Sequence, residues 1–439
     1  MRTPALKGLL FALVLAATGV APRPAAAAAQ ESPGALIAEL LRDPSTADWR
    51  ALSRFDGTLT RREFESRLDE IFDPGRGLRP YLLLTDGAVW VFPNAERHGP
   101  PLAAVRFAQA GSRRILPVEF RTPRAFLATT HIPASQPLLG LRIAIEPADI
   151  GGRWARLEDR SVTFKGYGLI NEGDLNLVVG RLLRDRLSSL GAQVFLIRDR
   201  AEPVVPLRPG DVLPYTRAIL DRNPGLLQMA YQHRVQGVAA EDERLHIASE
   251  LLLTKTLETR ARVALVRRSF RPDLTIVLQH NATPESTEGH LTPINRNIFF
   301  VHGAYLPSEL AEPEQRFRLL TKLLEDVTPT EVRVAVAVSR RFQAATGFPP
   351  VLYGNSATTR LVAPGNPYVV ARNLAFNREH DGPVVVTEPY FMNQPETLLR
   401  LLGGDYPGRR LVAGRYRVSI YREYADSVAA GLVDAYRAP

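Results

Sequence analysis

The stretch LRIAIEPADIGGRW, residues 141–154, combines a short apolar strand with a charged turn. Apolar residues run from Leu141 to Ile145 with one arginine among them, which is the pattern of a buried strand. Glu146 and Asp149 then enclose a proline and an alanine, and two glycines follow shortly after. The stretch therefore predicts a strand that ends in a turn presenting two carboxylates. The two glycines let the backbone of this turn pass close to a neighbouring group.

Downstream of this stretch, strand patterns alternate with the apolar periodicity of amphipathic helices. Such alternation is typical of α/β folds, in which helices cover a sheet. The sequence therefore predicts a mixed, mostly parallel sheet with helices on both faces. The predicted strands are 142–145, 193–199, 274–280, 297–303 and 383–388, and the main predicted helices are 172–190, 257–270, 328–347 and 425–437.

Composition divides the chain into four predicted segments. Residues 1–29 begin with basic residues, continue with an apolar run and end in alanines, which is the pattern of a secretory signal peptide. Residues 30–115 are predicted to form a small α+β N-terminal module with a β-hairpin around Asp86-Gly87. Residues 116–140 are a Pro-rich linker or a connection draped over the fold. Residues 141–439 form the α/β domain, with a helical insertion at about 205–256.

The composition also excludes several classes of site. There is no cysteine, so disulfides, thiolate metal ligands and cysteine nucleophiles are excluded. Serine hydrolase, nucleotide and nucleic-acid functions have no supporting motif or basic-aromatic run. The formal net charge is +9, or +6 without the signal segment, which holds three basic residues and no acid (9 − 3). No later stretch is long enough to be a transmembrane segment, and an exported, cysteine-free chain favours the bacterial periplasm or the cell exterior.

Four ionisable residues recur at the ends of predicted elements. Asp149 follows the first strand, Glu172 opens the first helix, His280 ends the third strand and Glu388 ends the fifth. Because reactive groups in α/β sheets gather outside the carboxyl ends of the strands, we expect the four to converge. A histidine with carboxylates suits a borderline metal such as zinc. Taken singly, each ligand also has a structural interpretation, as a turn cap, a first-turn helix acid or a core histidine.

The order of these motifs resembles the zinc-dependent N-acetylmuramoyl-L-alanine amidases of the amidase 3 type, over about residues 140–437. That family begins with a strand and Asp-Pro-Gly-His-Gly-Gly, where this chain has EPADIGG at 146–152. A glutamate then opens a Leu-rich helix that leads to a strand ending in Arg-Asp, as in EGDLNLVVGRLLRDRLSSLGAQVFLIRD at 172–199. The family's Ser-x-His-x-Asn strand corresponds to PDLTIVLQHNA at 272–282, and its segment of Glu, Gly-Phe and Asn corresponds to GPVVVTEPYFMNQPE at 382–396.

The resemblance implies an amidase-like fold and an exported zinc-dependent hydrolase that cleaves the amide bond between N-acetylmuramic acid and L-alanine in peptidoglycan. Carried over by position, Asp149, Glu172 and His280 are the Zn²⁺ ligands, and Glu388 is the catalytic base and acid. The departure lies at the first ligand, where the family has His and this chain has Asp149. That departure supports a second hypothesis, a catalytically inactive amidase-like domain that binds cell-wall fragments or regulates another amidase.

Three further residues, Glu158, Asn281 and Arg372, are weaker candidates for substrate binding. Glu158 lies just beyond the two glycines, where it either lines the cleft or forms a surface pair with Arg160. Arg372 suits a substrate carboxylate. Peptidoglycan is the expected partner, and the N-terminal module or the insertion is the expected contact for a regulatory protein.

Overall fold

The computed structural model of the protein describes residues 32–42, 48–109, 111–112, 114–129, 132–222, 238 and 240–437. The predicted signal peptide and residues 223–237 of the predicted insertion lie outside the described residues. The strands are β1 (Leu82–Leu84), β2 (Ala88–Val91), β3 (Ala103–Arg106), β4 (Arg142–Pro147), β5 (Ser161–Phe164), β6 (Gly168–Asn171), β7 (Gln193–Leu196), β8 (Leu274–Leu278), β9 (Ile298–Val301), β10 (Arg360–Leu361), β11 (Val369–Ala371), β12 (Val384–Glu388), β13 (Arg410–Val412) and β14 (Arg415–Arg417). The α-helices are α1 (Pro33–Leu40), α2 (Arg61–Arg67), α3 (Pro123–Thr129), α4 (Glu172–Ser189), α5 (Pro209–Arg222), α6 (Glu241–Leu251), α7 (Glu258–Ser269), α8 (Pro313–Leu324), α9 (Thr328–Thr346), α10 (Ala375–Glu379), α11 (Pro395–Leu402) and α12 (Ile420–Arg437).

Seven strands form one mixed sheet in the order β10-β11-β9-β12-β8-β4-β7. The β11–β9, β12–β8, β4–β8 and β4–β7 pairs are parallel, whereas the β12–β9 and β10–β11 pairs are antiparallel. All residues of β8 are buried, as expected for a central strand covered on both faces. The predicted mixed, mostly parallel α/β sheet is therefore confirmed.

Helices cover the two faces of this sheet. On one face, α4, α9 and α12 pack against Ile276 and Leu278 of β8. On the other face, Val277 of β8 joins a cluster with Phe376 of α10, and Val266 of α7 packs against β4. Consecutive β8 side chains thus enter opposite clusters, as the two-residue period of a strand requires. Because β4, β8 and β12 run parallel, their carboxyl ends reach the same edge of the sheet.

The N-terminal segment forms a second, antiparallel sheet in the order β1-β2-β3. The predicted hairpin is confirmed, since Leu84 pairs with Val89 across the turn that contains Asp86-Gly87. The apolar cluster beneath this sheet includes Phe64 and is completed by Leu319 and Leu323 of α8. The segment therefore shares its core with the α/β part of the chain, and the domain boundaries given above stay predictions.

The described residues of the Pro-rich segment, 116–129 and 132–140, are packed across the base of the large sheet. Phe126 of α3 is fully buried in the main core. The guanidinium of Arg121 donates to the carboxylate of Asp273, which is 0% exposed and also accepts from Arg142 at the start of β4. These contacts attach the connection to the strand edge opposite the predicted site.

The helical region before β8 differs in detail from the sequence prediction. The sequence predicts an insertion at about 205–256 followed by a separate helix, but α6 continues into α7 through a π-helical turn at Leu252–Leu257. Helical periodicity does not distinguish the two arrangements, because one widened turn shifts the apolar face without interrupting it. Among the described residues, no helix is both long and apolar enough to cross a membrane.

Candidate functional site

The turn after β4 is held by a buried arginine. Asp149 and Gly151 adopt left-handed backbone conformations, with φ of 58° and 84°. Arg198, which is 5% exposed, donates to the carbonyl oxygens of Pro147 at 3.1 Å, Ile150 at 2.8 Å and Asp149. Since one guanidinium satisfies three turn carbonyls, the direction of the Asp149 side chain is fixed.

Glycines let this turn touch the first turn of α4. A Cβ atom on Gly173 would lie 2.4 Å from the backbone nitrogen of Gly151, so a larger residue there would force the two segments apart. The N–H of Gly152 donates to Asp174 Oδ1 at 2.8 Å and locks the contact. The close approach brings the turn beside Glu172, the first residue of α4.

The two carboxylates of the opening stretch lie in different environments. Glu146 is 0% exposed and contacts Nε2 of His380 and Nη1 of Arg262, the latter at 3.2 Å. Arg262 also donates through Nε to Glu258 at 2.7 Å. Burial alone would raise the pKa of Glu146, but His380 and Arg262 together hold it below its usual value. Glu146 therefore belongs to a buried ion network, whereas Asp149 belongs to the candidate site.

Two basic side chains contact the predicted metal-ligand carboxylates. Nε of Arg160 lies 3.4 Å from Asp149 Oδ1 and 3.7 Å from Glu172 Oε2. Nζ of Lys255 lies 3.6 Å from the same Asp149 oxygen. Burial, followed by the charge of Asp149, raises the pKa of Glu172 to about 8. The carboxylates are thus brought together, and their partners are two cationic side chains of the same chain. We call these four residues the charge cluster.

The π-helical turn between α6 and α7 delivers Lys255 to the charge cluster. Single π turns inside helices are often found at functional sites, because they displace a side chain from the regular helical position. Leu252, Leu253 and Leu257 of the turn are buried in the apolar cluster beneath it. Burial and the charge of Arg160 lower the pKa of Lys255 below its usual value.

His280 is the second residue after β8 and contacts two α4 residues. Its backbone N–H donates to Glu172 Oε1 at 3.1 Å, and its ring Nδ1 lies 2.9 Å from Asn176 Oδ1. Because the Asn176 amide nitrogen already donates to the carbonyl of Ala148, its oxygen faces the ring and Nδ1 carries the proton. Burial lowers the pKa of His280 to about 3, so the imidazole is neutral. Nε2 is left as the acceptor.

Glu388 ends β12 and lines the same cavity as Arg160, Glu172 and His280. This cavity has a volume of about 250 Å³, and apolar side chains form part of its wall. Burial raises the pKa of Glu388 to about 7, although the charges of Arg372 and Arg160 oppose the increase. A carboxyl group with this pKa exchanges protons readily near neutral pH.

The weaker candidates occupy three different positions. Glu158 is 1% exposed, and its carboxylate accepts the N–H groups of Ile150 and Gly151, so it does not form the alternative surface pair with Arg160. Arg372 places its guanidinium over the ring of Tyr353, 5.9 Å from the centroid. Asn281 joins the loop after β8 to the loop after β12, through its bridge with Phe391.

These contacts test whether the predicted ligands fit zinc. A divalent cation bound by Asp149 and Glu172 would lie against Arg160 and Lys255, which carry the same sign of charge. Within the part of the chain that the structure describes, no group of three or more His, Asp or Glu side chains is arranged to hold a metal ion. Oδ2 of Asp149 is buried without a hydrogen-bond partner among the described residues. A zinc ion needs at least three protein ligands, so this single oxygen is not sufficient to bind one. As arranged, the residues do not fit zinc.

Sequence reasoning missed two residues of the site. Lys255 stands alone in the apolar run LLLTKTL, where a single lysine among leucines was the available signal. Asn176 is four residues after Glu172 and therefore lies on the same face of α4, where a fully buried amide requires a partner. Lys255 belongs to the charge cluster, and Asn176 contacts the ring of His280.

No protein-family model matches the chain, and no curated protein is significantly similar to it in sequence. Solved structures with detectable similarity include several N-acetylmuramoyl-L-alanine amidases. The CwlD amidase of Clostridioides difficile, solved in complex with the GerS lipoprotein, is 10% identical and has a TM-score of 0.36, covering 67% of this chain and 96% of that one. The amidase Ami1 of Mycobacterium smegmatis is 14% identical, with a TM-score of 0.35 and coverage of 68% and 98%.

Cwp6 of Clostridium difficile is also 14% identical, with a TM-score of 0.35. The match covers 67% of this chain but 29% of Cwp6, so this chain spans less than a third of that protein's length. At these identities and TM-scores, the similarity does not transfer a ligand set or a reaction. The chemistry of the site rests on the contacts of this chain's own residues.

Proposed function

We propose that this chain is an amidase-like cell-wall protein whose pocket binds peptidoglycan fragments, with the side chains of Arg160 and Lys255 in place of a metal. The contact of Arg160 and Lys255 with Asp149 carries the proposal. Aspartate at this position is suited to such a site, because its negative charge pairs with the two cations, whereas a neutral histidine would remove the carboxylate that contacts both of them. The motifs occur in the same order as in the amidases, and this resemblance supports a peptidoglycan fragment as the ligand.

The pocket offers polar groups that match an N-acetylmuramoyl peptide. The side chain of Arg160 is 42% exposed, so it is free to donate to an amide carbonyl or a carboxylate of the ligand. Glu388, with a pKa of about 7, both accepts from amide N–H groups and donates when protonated. Phe164 and Met392 supply apolar wall for the non-polar parts of the sugar and peptide.

Export and regulation complete the proposal. We propose that residues 1–29 direct the chain to the periplasm or the cell exterior, where peptidoglycan is located. The N-terminal segment or the region around α5 and α6 is the proposed contact for a regulatory protein. The segment boundaries at 30–115, 116–140 and 141–439 belong to the same proposal.

A second candidate function is the zinc-dependent hydrolysis of the bond between N-acetylmuramic acid and L-alanine. Two observations favour it: Glu388 faces the pocket with a pKa of about 7, and Asp149 Oδ2 lacks a hydrogen-bond partner among the described residues. This function requires Arg160 and Lys255 to leave the carboxylates when a metal binds. It therefore makes different predictions from the binding function.

A soluble muropeptide that contains the N-acetylmuramoyl-L-alanine unit distinguishes the two functions. We expect calorimetry to detect its binding to the wild-type protein, and chromatography to detect no cleavage. Arg160→Gln is expected to weaken binding about tenfold or more, because it removes a charged hydrogen bond worth about 1.5–3 kcal/mol. Arg153→Gln is the matched control, since Arg153 is close in sequence, is 64% exposed and pairs with Glu202 outside the pocket.

Cleavage of the muropeptide by the wild-type protein, lost both in Glu388→Gln and on treatment with a chelator, would replace the binding function with the hydrolytic one. If the muropeptide does not bind, or if Arg160→Gln and Arg153→Gln weaken binding equally, then the pocket is not the binding site and the proposal is wrong.

A further inference from the structure

The β13–β14 hairpin is an exposed basic and apolar projection. Val412 pairs with Arg415 across a two-residue loop, and both loop residues, Ala413 and Gly414, have positive φ values of 48° and 76°. Such loops match the twist of a hairpin and make a compact tip. Alanine in the left-handed region is strained, so the tight tip is kept despite an energetic cost.

The two faces of the hairpin carry different chemistry. Leu411 and Tyr416 are cross-strand partners on one face, and their side chains are 58% and 70% exposed. Arg410 and Arg417 are cross-strand partners on the other face, where two like charges directly opposite each other destabilise the pair. The stability of the hairpin does not explain why one face exposes a large apolar pair while the opposite face carries two arginines across from each other.

The positive charge of this region is only partly neutralised. Between Tyr406 and Val418 there are four arginines and no acidic residue. Arg410 lies over the ring of Tyr406 at 4.5 Å, and Arg417 pairs with Glu396. The guanidinium groups of Arg409 and Arg415 have no ion-pair partner in the described part of the chain, which leaves them available to an external anion.

The base of the hairpin is fixed, so its tip is presented rather than folded back. The buried Tyr406 donates its hydroxyl to the carbonyl of Arg417 at 3.2 Å, and Arg400 donates to the carbonyl of Val418 at 3.4 Å. A rigid base lowers the entropic cost of binding at the tip.

We propose that the β13–β14 hairpin docks the protein on an anionic lipid bilayer. In this arrangement the hairpin meets the bilayer with its tip, so that Leu411 and Tyr416 enter the interfacial region, where tyrosine is favoured, while Arg415 on the opposite face and Arg409 before β13 contact lipid phosphates. A soluble anionic polymer would satisfy the arginines but would leave the apolar pair in water, so the bilayer accounts for both features. This docking is independent of what the pocket binds.

Flotation of the purified protein with vesicles tests the proposal. We expect binding to vesicles of phosphatidylglycerol and phosphatidylethanolamine, weak binding to phosphatidylcholine vesicles, and a decrease at high salt. Arg409→Gln/Arg415→Gln is expected to reduce partitioning about 25-fold, at about fivefold per arginine. Leu411→Ser/Tyr416→Ser is expected to reduce it about tenfold, because the apolar contact is lost.

Matched controls alter the same residue types elsewhere on the surface. Arg50→Gln/Arg124→Gln removes two exposed arginines, and Leu352→Ser/Leu361→Ser removes two exposed leucines, so both should partition like the wild-type protein. Absence of selective binding, or equal losses in the controls, would overturn the proposal. Binding that polyphosphate abolishes, and that Leu411→Ser/Tyr416→Ser leaves unchanged, would also overturn it and would identify a soluble polyanion as the partner.

Discussion

Arg262→Met is expected to lower the free energy of unfolding by about 3–5 kcal/mol. The Arg262 side chain is 2% exposed and lies between Glu146 and Glu258, whose side chains are also inaccessible. Methionine retains much of the apolar stem but removes the guanidinium that the two buried carboxylates share, so Glu146 keeps only its contact with His380. Because the carboxylates stay buried, the loss of this shared partner destabilises the fold. Urea unfolding followed by circular dichroism measures the change.

Arg267→Met is the matched control for this prediction. Arg267 is on the same helix and pairs with Asp381 in the same way, but the two side chains are 53% and 55% exposed. An exposed pair contributes about 0–1 kcal/mol, so the control should be close to the wild-type protein. If the two variants lose the same stability, then Glu146 is not part of a buried ion network.

The triple variant Asp149→His/Arg160→Ala/Lys255→Ala is expected to bind zinc at least a thousandfold more tightly than the wild-type protein. Two unit charges about 4 Å apart interact by about 4 kcal/mol in a partly buried site, which corresponds to about three decades in affinity. The substitutions remove both cations and place a neutral imidazole beside Glu172 and His280. Competition with a chromogenic chelator measures the affinity.

The control for the triple variant keeps the new histidine and removes two cations elsewhere. In Asp149→His/Arg153→Ala/Lys165→Ala, the lost charges belong to exposed side chains outside the charge cluster. This variant should bind zinc no better than Asp149→His alone. Equal zinc affinity in the triple variant and this control would show that Arg160 and Lys255 do not oppose metal binding.

The sheet is predictable from the sequence because its central strands are mostly apolar runs. β8 and β12, with the sequences LTIVL and VVVTE, are covered on both faces and are therefore rich in leucine, isoleucine and valine. The edge strand β10 and its neighbour β11 have two and three residues, which is too short for any periodicity to be detected. The position of β11 depends on pairing with β9, a contact that is distant in sequence, and β10 then pairs with β11.

The residues at the carboxyl edge of the sheet were also predictable, but their partners were not. Asp149, Glu172 and Glu388 follow from the positions of strand and helix ends, since parallel strands bring those ends together. Lys255 reaches Asp149 through a π-helical turn, and a pattern of leucines predicts a regular helix equally well. Arg160 follows a turn whose left-handed residues redirect the chain toward Glu172. The sequence therefore predicts where the carboxylates lie, but it does not predict that Arg160 and Lys255 contact them.

The zinc content of the purified wild-type protein tests the central claim most directly. The protein would be equilibrated with zinc, passed through a desalting column and measured by elemental analysis, beside the His280→Ala variant. Our account predicts that neither protein retains stoichiometric zinc, because Arg160 and Lys255 already neutralise the carboxylates. One zinc ion per wild-type chain, lost in His280→Ala, would contradict the account and would assign the site to a metal-dependent amidase.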